Sequence, residues 1–329
     1  GNEYDEAGKL INATKLVIAE VVECKEHPDS DHLHCCKVNT GKEILNIVCG
    51  APNVRKGLKV ILALDGAELP GGTIKRGVIR GEESNGMICS IAELGLESKF
   101  LTEEDKAGIH ELPQDAPIGE DPIAYMKMDD SVIDFDLTAN RGDLLSILGM
   151  AYEVGAIYNK KVKDIDISHK ENKEDINDKF KVKVNTDNCS IFLSKKVKNV
   201  EIKESPAFIK NRLIASGIRP INNVVDISNY VMLETGQPLH FYDADCLKDC
   251  LEVRMAKEGE KLTTLDSIER TLKSEDIVIS DGTKAIGLAG VMGGLETEIT
   301  DKTKNIIIEA AIFDSVKIRR TSNAILRSE

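Results

Sequence analysis

Tryptophan is absent from the 329 residues, and aromatics as a whole reach only 4%. Any core must therefore be assembled from Ile, Val, Leu and Ala. No run of about 18 apolar residues occurs, which excludes a transmembrane helix. The opening stretch, GNEYDEAGKL, has neither a basic start nor an apolar run, so no signal peptide is expected. It also lacks an initiating Met, and the chain is expected to be a trimmed or processed piece. The eight cysteines (Cys24, Cys35, Cys36, Cys49, Cys89, Cys189, Cys246 and Cys250) include no C-x-x-C pair. That removes the usual signature of a four-ligand zinc site, and they are too sparse to staple a miniprotein. Buried or bystander thiols in a reducing cytosol are expected, with Cys246 and Cys250 spaced to share one helix face. The histidines contain no H-E-x-x-H, and His32 and His34 merely alternate at what reads as a strand start, so no metal site is expected. Acid outweighs base, 56 residues to 43, for a net charge of −13, while 41% of residues are hydrophobic. That is a globular composition, and at about 150 residues per domain it implies two or three domains.

From Lys15 onward, short apolar runs (KLVIAEVVEC, LHCCKVNT, EILNIVCG, LKVILALDG) are punctuated by Gly, Pro, Asn and Asp. This spacing predicts a small antiparallel barrel or sandwich over residues 15–127. Residues 97–126, acidic and Pro-rich, read as a loop wrapping back. Near Asp129, DSVIDFD alternates like a strand, and Asp143 is placed to cap a helix over LLSILGMAYEVGAIYNKK. Leu144, Ile147, Leu148, Ala151 and Val154 would share one face of that helix. Residues 161–181 are dense in mixed charge and read as a linker. Two helices are then expected, one from Ser205 and Pro206 to Gly217, the other ending at Gly236 before Pro238. A run of strand-like segments follows. The fold class is α+β and multidomain: a lead-in at 1–14, a β-barrel at 15–127, an α+β segment with linker at 128–185, and a mixed α/β domain at 186–329.

Charge is distributed unevenly. Residues 41–80 hold seven basic side chains (Lys42, Arg55, Lys56, Lys59, Lys75, Arg76 and Arg80) against Glu43, Asp65 and Glu68. Residues 81–130 hold three basic and thirteen acidic ones. A locally basic barrel face can hold phosphate on an acidic protein, although few aromatics are available for base stacking.

Three motifs, HPDSDHL (27–33), VCGAPNV (48–54) and LPGGTIKRGVIRGEESNGMICS (69–90), resemble the tRNA-binding OB-fold module of aminoacyl-tRNA synthetases. His32 stands where relatives usually carry Lys or Arg. TANRGDLLSILGMAYEV (138–154) resembles a signature of the bacterial phenylalanyl-tRNA synthetase β subunit. RLIASGIRPINNVVDISNYVMLETGQPLHFYDADCL (212–247), AGVMGGLETEITDKTKNIIIEAAIF (289–313) and IRRTS (318–322) resemble its B3/B4 editing domain. The resemblance implies that the chain is a piece of that subunit, with an OB-fold barrel followed by the editing domain. It implies tRNA(Phe) and a catalytic α subunit as partners, in an α2β2 heterotetramer without membrane contact and located in the cytoplasm. It assigns ATP and Mg2+ to the whole ligase and no cofactor to this chain.

Phenylalanine and tyrosine differ by one hydroxyl, and an apolar pocket rejects an added hydroxyl by only about 10². A second pocket that hydrogen-bonds the hydroxyl can reverse the preference, because phenylalanine would leave its polar groups unpaired. The resemblance implies that such a pocket hydrolyses tyrosine wrongly attached to tRNA(Phe). By motif match Glu309, which interrupts the apolar run 306–312, is the hydroxyl-reading acid. A carboxylate buried there would need a partner. His240 matches the editing histidine and is expected on a loop after the helix stop, where it could orient water. Arg219 matches an arginine of the site. Gly290, Gly293 and Gly294 would form a pocket wall whose backbone N–H groups can donate, and Ser328 stands where some relatives carry Thr. No nucleophile–base pair is apparent, so hydrolysis by a positioned water is the expected chemistry. The alternative is an inert pocket in a tRNA-binding or subunit scaffold.

Overall fold

The computed structural model describes residues 3–326. The chain forms two compact units, residues 1–137 with 207–220, and residues 138–206 with 221–329.

In the first unit, β2 (Leu16–Glu26), β3 (His34–Asn39), β4 (Ile44–Cys49) and β5 (Lys59–Leu64) join β6 (Gly86–Ile88) in an antiparallel sheet of order β6-β5-β2-β3-β4. The two-residue strand β7 (Glu111–Leu112) adds to β5. Both faces are apolar, as alternation along doubly covered strands requires. Ile18, Ile61 and Ala63 pack with Leu94, Leu101 and Met128 on one face. Ala19, Val21, Val60 and Leu62 pack with Val38, Ile47 and Val54 on the other. No ladder closes the sheet among the described residues. Instead the Asn85 N–H donates to the Asn46 carbonyl (2.8 Å), and the Ser84 hydroxyl accepts the Val48 N–H (3.1 Å). These bonds draw the two sheet edges together.

Residues 97–126 are more ordered than a loop. Thr102 and Asp105 cap the helix Glu103–Ala107 reciprocally, and Asp121 caps Pro122–Tyr125. The sheet's surroundings also recruit flanking chain. β1 (Glu3–Lys9) pairs with β8 (Ser131–Asp136), so the lead-in and the 131–136 strand both join this unit. The helix Ala207–Ala215 belongs here too. Its Asn211 amide donates to the carbonyls of Met126 (2.8 Å) and Lys127 (2.9 Å), and Arg212 reaches Asp130 (3.2 Å).

The second unit stacks two sheets. One runs β9 (Lys181–Val184), β12 (Cys250–Met255), β13 (Ile277–Ser280), β14 (Ala285–Leu288) and β15 (Met292–Gly293); only its β9–β12 pair is parallel. The other places β16 (Ile306–Phe313) between β10 (Cys189–Val197) and β11 (His240–Asp243). Tyr242, Leu251, Val253, Ile277, Ile279, Ile286 and Ile307 form the core between them.

The helix Asn223–Thr235 ends where expected. The Asn222 side chain accepts the N–H groups of Val224 and Val225, and Gly236 stops the helix at φ +81°. One expected cap does different work. Asp143 is gripped by Arg141 (3.1 Å to each oxygen), so the helix Ile147–Tyr158 starts after Ser146, whose hydroxyl accepts the Gly149 N–H. No residue of that helix is buried, so Ile147, Leu148, Ala151 and Val154 of the anticipated face are half-buried or exposed, while Leu144, in the turn before the helix, is buried. The Ser205 hydroxyl donates to Asp226 (2.5 Å). Cys246 ends a 3-10 turn and Cys250 opens β12, so no helix face holds them; all eight cysteines are free.

Candidate functional site

Alternation along β16 sends Ile307, Glu309, Ala311 and Phe313 to the face that meets the larger sheet. Glu309 is therefore an acid in an interior position, 6% exposed. Register places it directly between Ser194 on β10 and His240 on β11. Its required partner is Tyr242, two residues beyond His240 and hence on the same face. The Tyr242 hydroxyl donates to Glu309 Oε2 in a short bond. Glu309 Oε1 has no hydrogen-bond partner among the described residues. The His240 and Tyr242 rings meet edge-on, 4.5 Å apart at 85°.

Electrostatics follow from this placement. Burial lifts the Glu309 carboxyl to about 7, with the Tyr242 hydroxyl pulling the other way. Burial pushes the His240 imidazole down to about 4, so it is neutral at pH 7. Neither of its ring nitrogens has a hydrogen-bond partner among the described residues. Burial and the neighbouring Glu309 charge hold the Tyr242 phenol well above its ordinary value, keeping it a donor.

His240 opens a strand rather than sitting on a loop, because its pairing partner lies 69 positions away, beyond the reach of local pattern. Gly293 is brought to it: a Cβ there would lie 2.4 Å from His240 Cε1 and 2.6 Å from Nε2. Gly294 and Gly290 serve the backbone instead. A Cβ at Gly294 would meet the Ile286 carbonyl oxygen at 2.3 Å, and Gly290 takes φ +64° in the turn between β14 and β15, against Ile318 and Phe313. Arg219 belongs to the first unit, where it is exposed and contributes positive charge near Glu103. Ser328 lies outside the described residues. Tyr242 is the site residue that motif reading missed. Its signal was the strand alternation that puts residues 240 and 242 on one side.

The basic residues of the first unit are less uniform than their charge count. Lys42, Lys56 and Lys75 are exposed, and Lys75 lines a cleft of about 690 Å³ with Gly50, Pro52, Val78, Ser84 and Met87. Arg55 is forked onto Glu111 at 2.8 and 2.9 Å. Arg76 lies 3.5 Å from Asp65, and Arg80 donates to the Asp29 carbonyl at 3.3 Å. The Lys59 side chain is only 12% exposed and sits 3.6 Å from Glu20. Lys59 is therefore withdrawn from any phosphate by its position inside β5.

Comparison with known proteins matches residues 16–121 to a putative tRNA binding domain and residues 188–329 to a B3/4 domain. These two modules define a chain of the aminoacyl-tRNA synthetase class. The phenylalanine–tRNA ligase beta subunit of Bacillus cereus (strain ZK / E33L) is 47% identical over 319 residues, 95% of this chain and 40% of its own length. That of Staphylococcus aureus (strain bovine RF122 / ET3-1) is 48% identical over 333 residues, 98% of this chain and 42% of its own. The chain belongs to the phenylalanine–tRNA ligase beta-subunit family. It spans about two fifths of the length of the curated relatives it matches. Among solved structures, an N-terminal fragment of the phenylalanyl-tRNA synthetase beta subunit from Pyrococcus horikoshii is 18% identical. That match covers 58% of this chain and 60% of the other, at a TM-score of 0.32. No helix among the described residues is long and apolar enough to cross a membrane.

Proposed function

We propose that this chain is the tRNA-binding and proofreading part of a phenylalanine–tRNA ligase, and that its second unit hydrolyses tyrosine mistakenly esterified to tRNA(Phe). One observation carries the reading. A buried carboxylate and a half-buried imidazole are paired across β16 and β11, and each keeps a polar atom without a protein partner among the described residues. Polar atoms that no protein group occupies at such a place are open to a ligand that can complete them. A tyrosyl phenol supplies the donor that Glu309 Oε1 lacks, and a phenyl ring does not. The neutral His240 imidazole can take the proton of a water that attacks the ester carbonyl, whose electrons move onto its oxygen; as they return, the ester C–O bond breaks and the imidazolium hands its proton to the departing tRNA oxygen, leaving free tyrosine and a tRNA hydroxyl.

In this reading the first unit is an OB-type module, supported by the antiparallel order of its sheet and the hydrogen bonds that draw its edges together. Exposed Lys42, Lys56 and Lys75 meet tRNA phosphates, and the ligase is completed in the cytoplasm by a catalytic α subunit as an α2β2 assembly. ATP and Mg2+ belong to that subunit's synthetic step. No group of three or more His, Cys, Asp or Glu side chains among the described residues is placed to hold a metal.

The test is deacylation in trans. The chain is expected to release tyrosine from Tyr-tRNA(Phe) and to spare Phe-tRNA(Phe), with release falling at least tenfold in Glu309→Ala. Tyr-tRNA(Phe) left intact both by the chain and by an assembled enzyme containing it would make the unit a binding scaffold.

A further inference from the structure

The Tyr242 hydroxyl is a phenol inside the protein, bound to the acid proposed to recognise a phenol. Its ring is 1% exposed and sits in the core with Leu251, Ile277, Ile279 and Ile307, so it cannot leave without dismantling the space between the sheets. Both partners are fixed on paired strands, with Tyr242 opposite Ile307 and diagonal to Glu309. A carboxylate held by one oxygen cannot rotate freely about its last torsion, and its second oxygen is aimed by the first bond. Glu309 thus has two acceptor oxygens and one standing donor.

We propose that Tyr242 is the specificity-determining positioning residue of this site: by occupying Oε2 of Glu309 it leaves a single oriented acceptor, Oε1, and so restricts recognition to one ligand hydroxyl. This rests on the proofreading reading of the site and adds to it the origin of the choice between a phenol and a phenyl group. Without the internal phenol, the carboxylate would be free to turn, and burial would favour its protonated form more strongly. A protonated acid can donate as well as accept, which blurs the distinction between ligands. The other titratable or charged groups sharing its surroundings are His240 on β11, and Cys189 and Lys196 on β10. All of them are unchanged by a substitution at residue 242.

Tyr242→Phe removes the hydroxyl and keeps the ring. Single-turnover release from Tyr-tRNA(Phe) and Phe-tRNA(Phe) by the full chain is measured from pH 5.5 to 9 for the parent and the variant. The expected result is at least a tenfold drop in the Tyr-over-Phe rate ratio, with the midpoint of the pH profile for tyrosine release moved upward. A role in packing alone would leave that midpoint in place. An unchanged or increased ratio, as would follow if Tyr242 competed with the ligand for Glu309, overturns the assignment while the proofreading reading stands. A parent chain inactive on Tyr-tRNA(Phe) overturns both. If the variant does not fold, carbon-13 NMR of the Glu309 carboxyl in the parent decides. L-tyrosine, and not L-phenylalanine, is expected to shift it while the Tyr242 hydroxyl proton stays hydrogen-bonded; release of that proton on binding overturns the assignment.

Discussion

Replacing Glu309 by Gln separates the cost of a buried charge from the shape of the residue that carries it. An ordinary glutamate titrates at 4.5, and burial raises Glu309 to about 7. At about 1.4 kcal/mol for each tenfold change in proton affinity, ionising it in the folded chain costs about 3 kcal/mol. The sign follows from proton counting. Below pH 4.5 both the folded and unfolded forms are protonated and the penalty vanishes. Between 4.5 and 7 the unfolded chain has lost its proton and the folded chain keeps it, so stability falls as pH rises. Above 7 the full penalty applies. His240 acts in the opposite sense, its lowered value costing stability as pH falls from 6.5 toward 4. It is common to both proteins and cancels in their difference. Glutamine does not titrate, fits the same volume and can accept the Tyr242 hydroxyl through its carbonyl. Urea unfolding of parent and Glu309→Gln at pH 5 and pH 8 should therefore show the variant gaining about 2 to 3 kcal/mol relative to the parent across that interval. Amide exchange at Ile306–Phe313 assigns the transition to the second unit. A stability difference that stays constant with pH would refute the argument that this carboxyl is buried with only a phenol to support it.

Two further outcomes test other parts of the structure. Gly293→Ala places a Cβ inside the His240 ring contact and should cost at least tenfold in tyrosine release and about 1–3 kcal/mol in stability, read by deacylation rate and thermal unfolding. Lys75→Ala should weaken tRNA binding and reduce the slope of log K against log salt by about 1, whereas Lys59→Ala, already covered inside β5, should leave that slope unchanged in filter-binding titrations.

What could be read from the chain beforehand was mostly local. Gly236 marks the end of its helix because cap chemistry acts over three or four residues. The acid inside IIIEAAIF announced a buried carboxylate because the contradiction is visible within one strand. Asp143 misled as a cap, and Ser205 carries a bond that local pattern does not show. Each has a side chain suited to capping, and each bonds to another group, Arg141 for one and Asp226 for the other. His240 lost its expected loop to a strand partner far along the sequence. Motif matching grouped Gly290, Gly293 and Gly294 because they are close in sequence. The fold separates them, since only Gly293 backs onto the imidazole while the other two answer to a carbonyl and a turn. The basic stretch over 41–80 overstated its reach, because net charge does not reveal that Arg55 and Lys59 already have acidic neighbours. Pairing of the 3–9 strand with the 131–136 strand was likewise invisible to any reading by window.

The helix Ala207–Ala215 gives the chain a practical property. Its sequence falls between stretches of the second unit, yet its Asn211 amide closes the carbonyls of Met126 and Lys127. No single cut in the gene yields both halves intact. Ending a clone at residue 137 strands those two carbonyls, and starting one at residue 138 carries along a helix stripped of its seat. Dissection into separately expressed parts requires grafting 207–220 onto the first half and bridging 206 to 221 in the second.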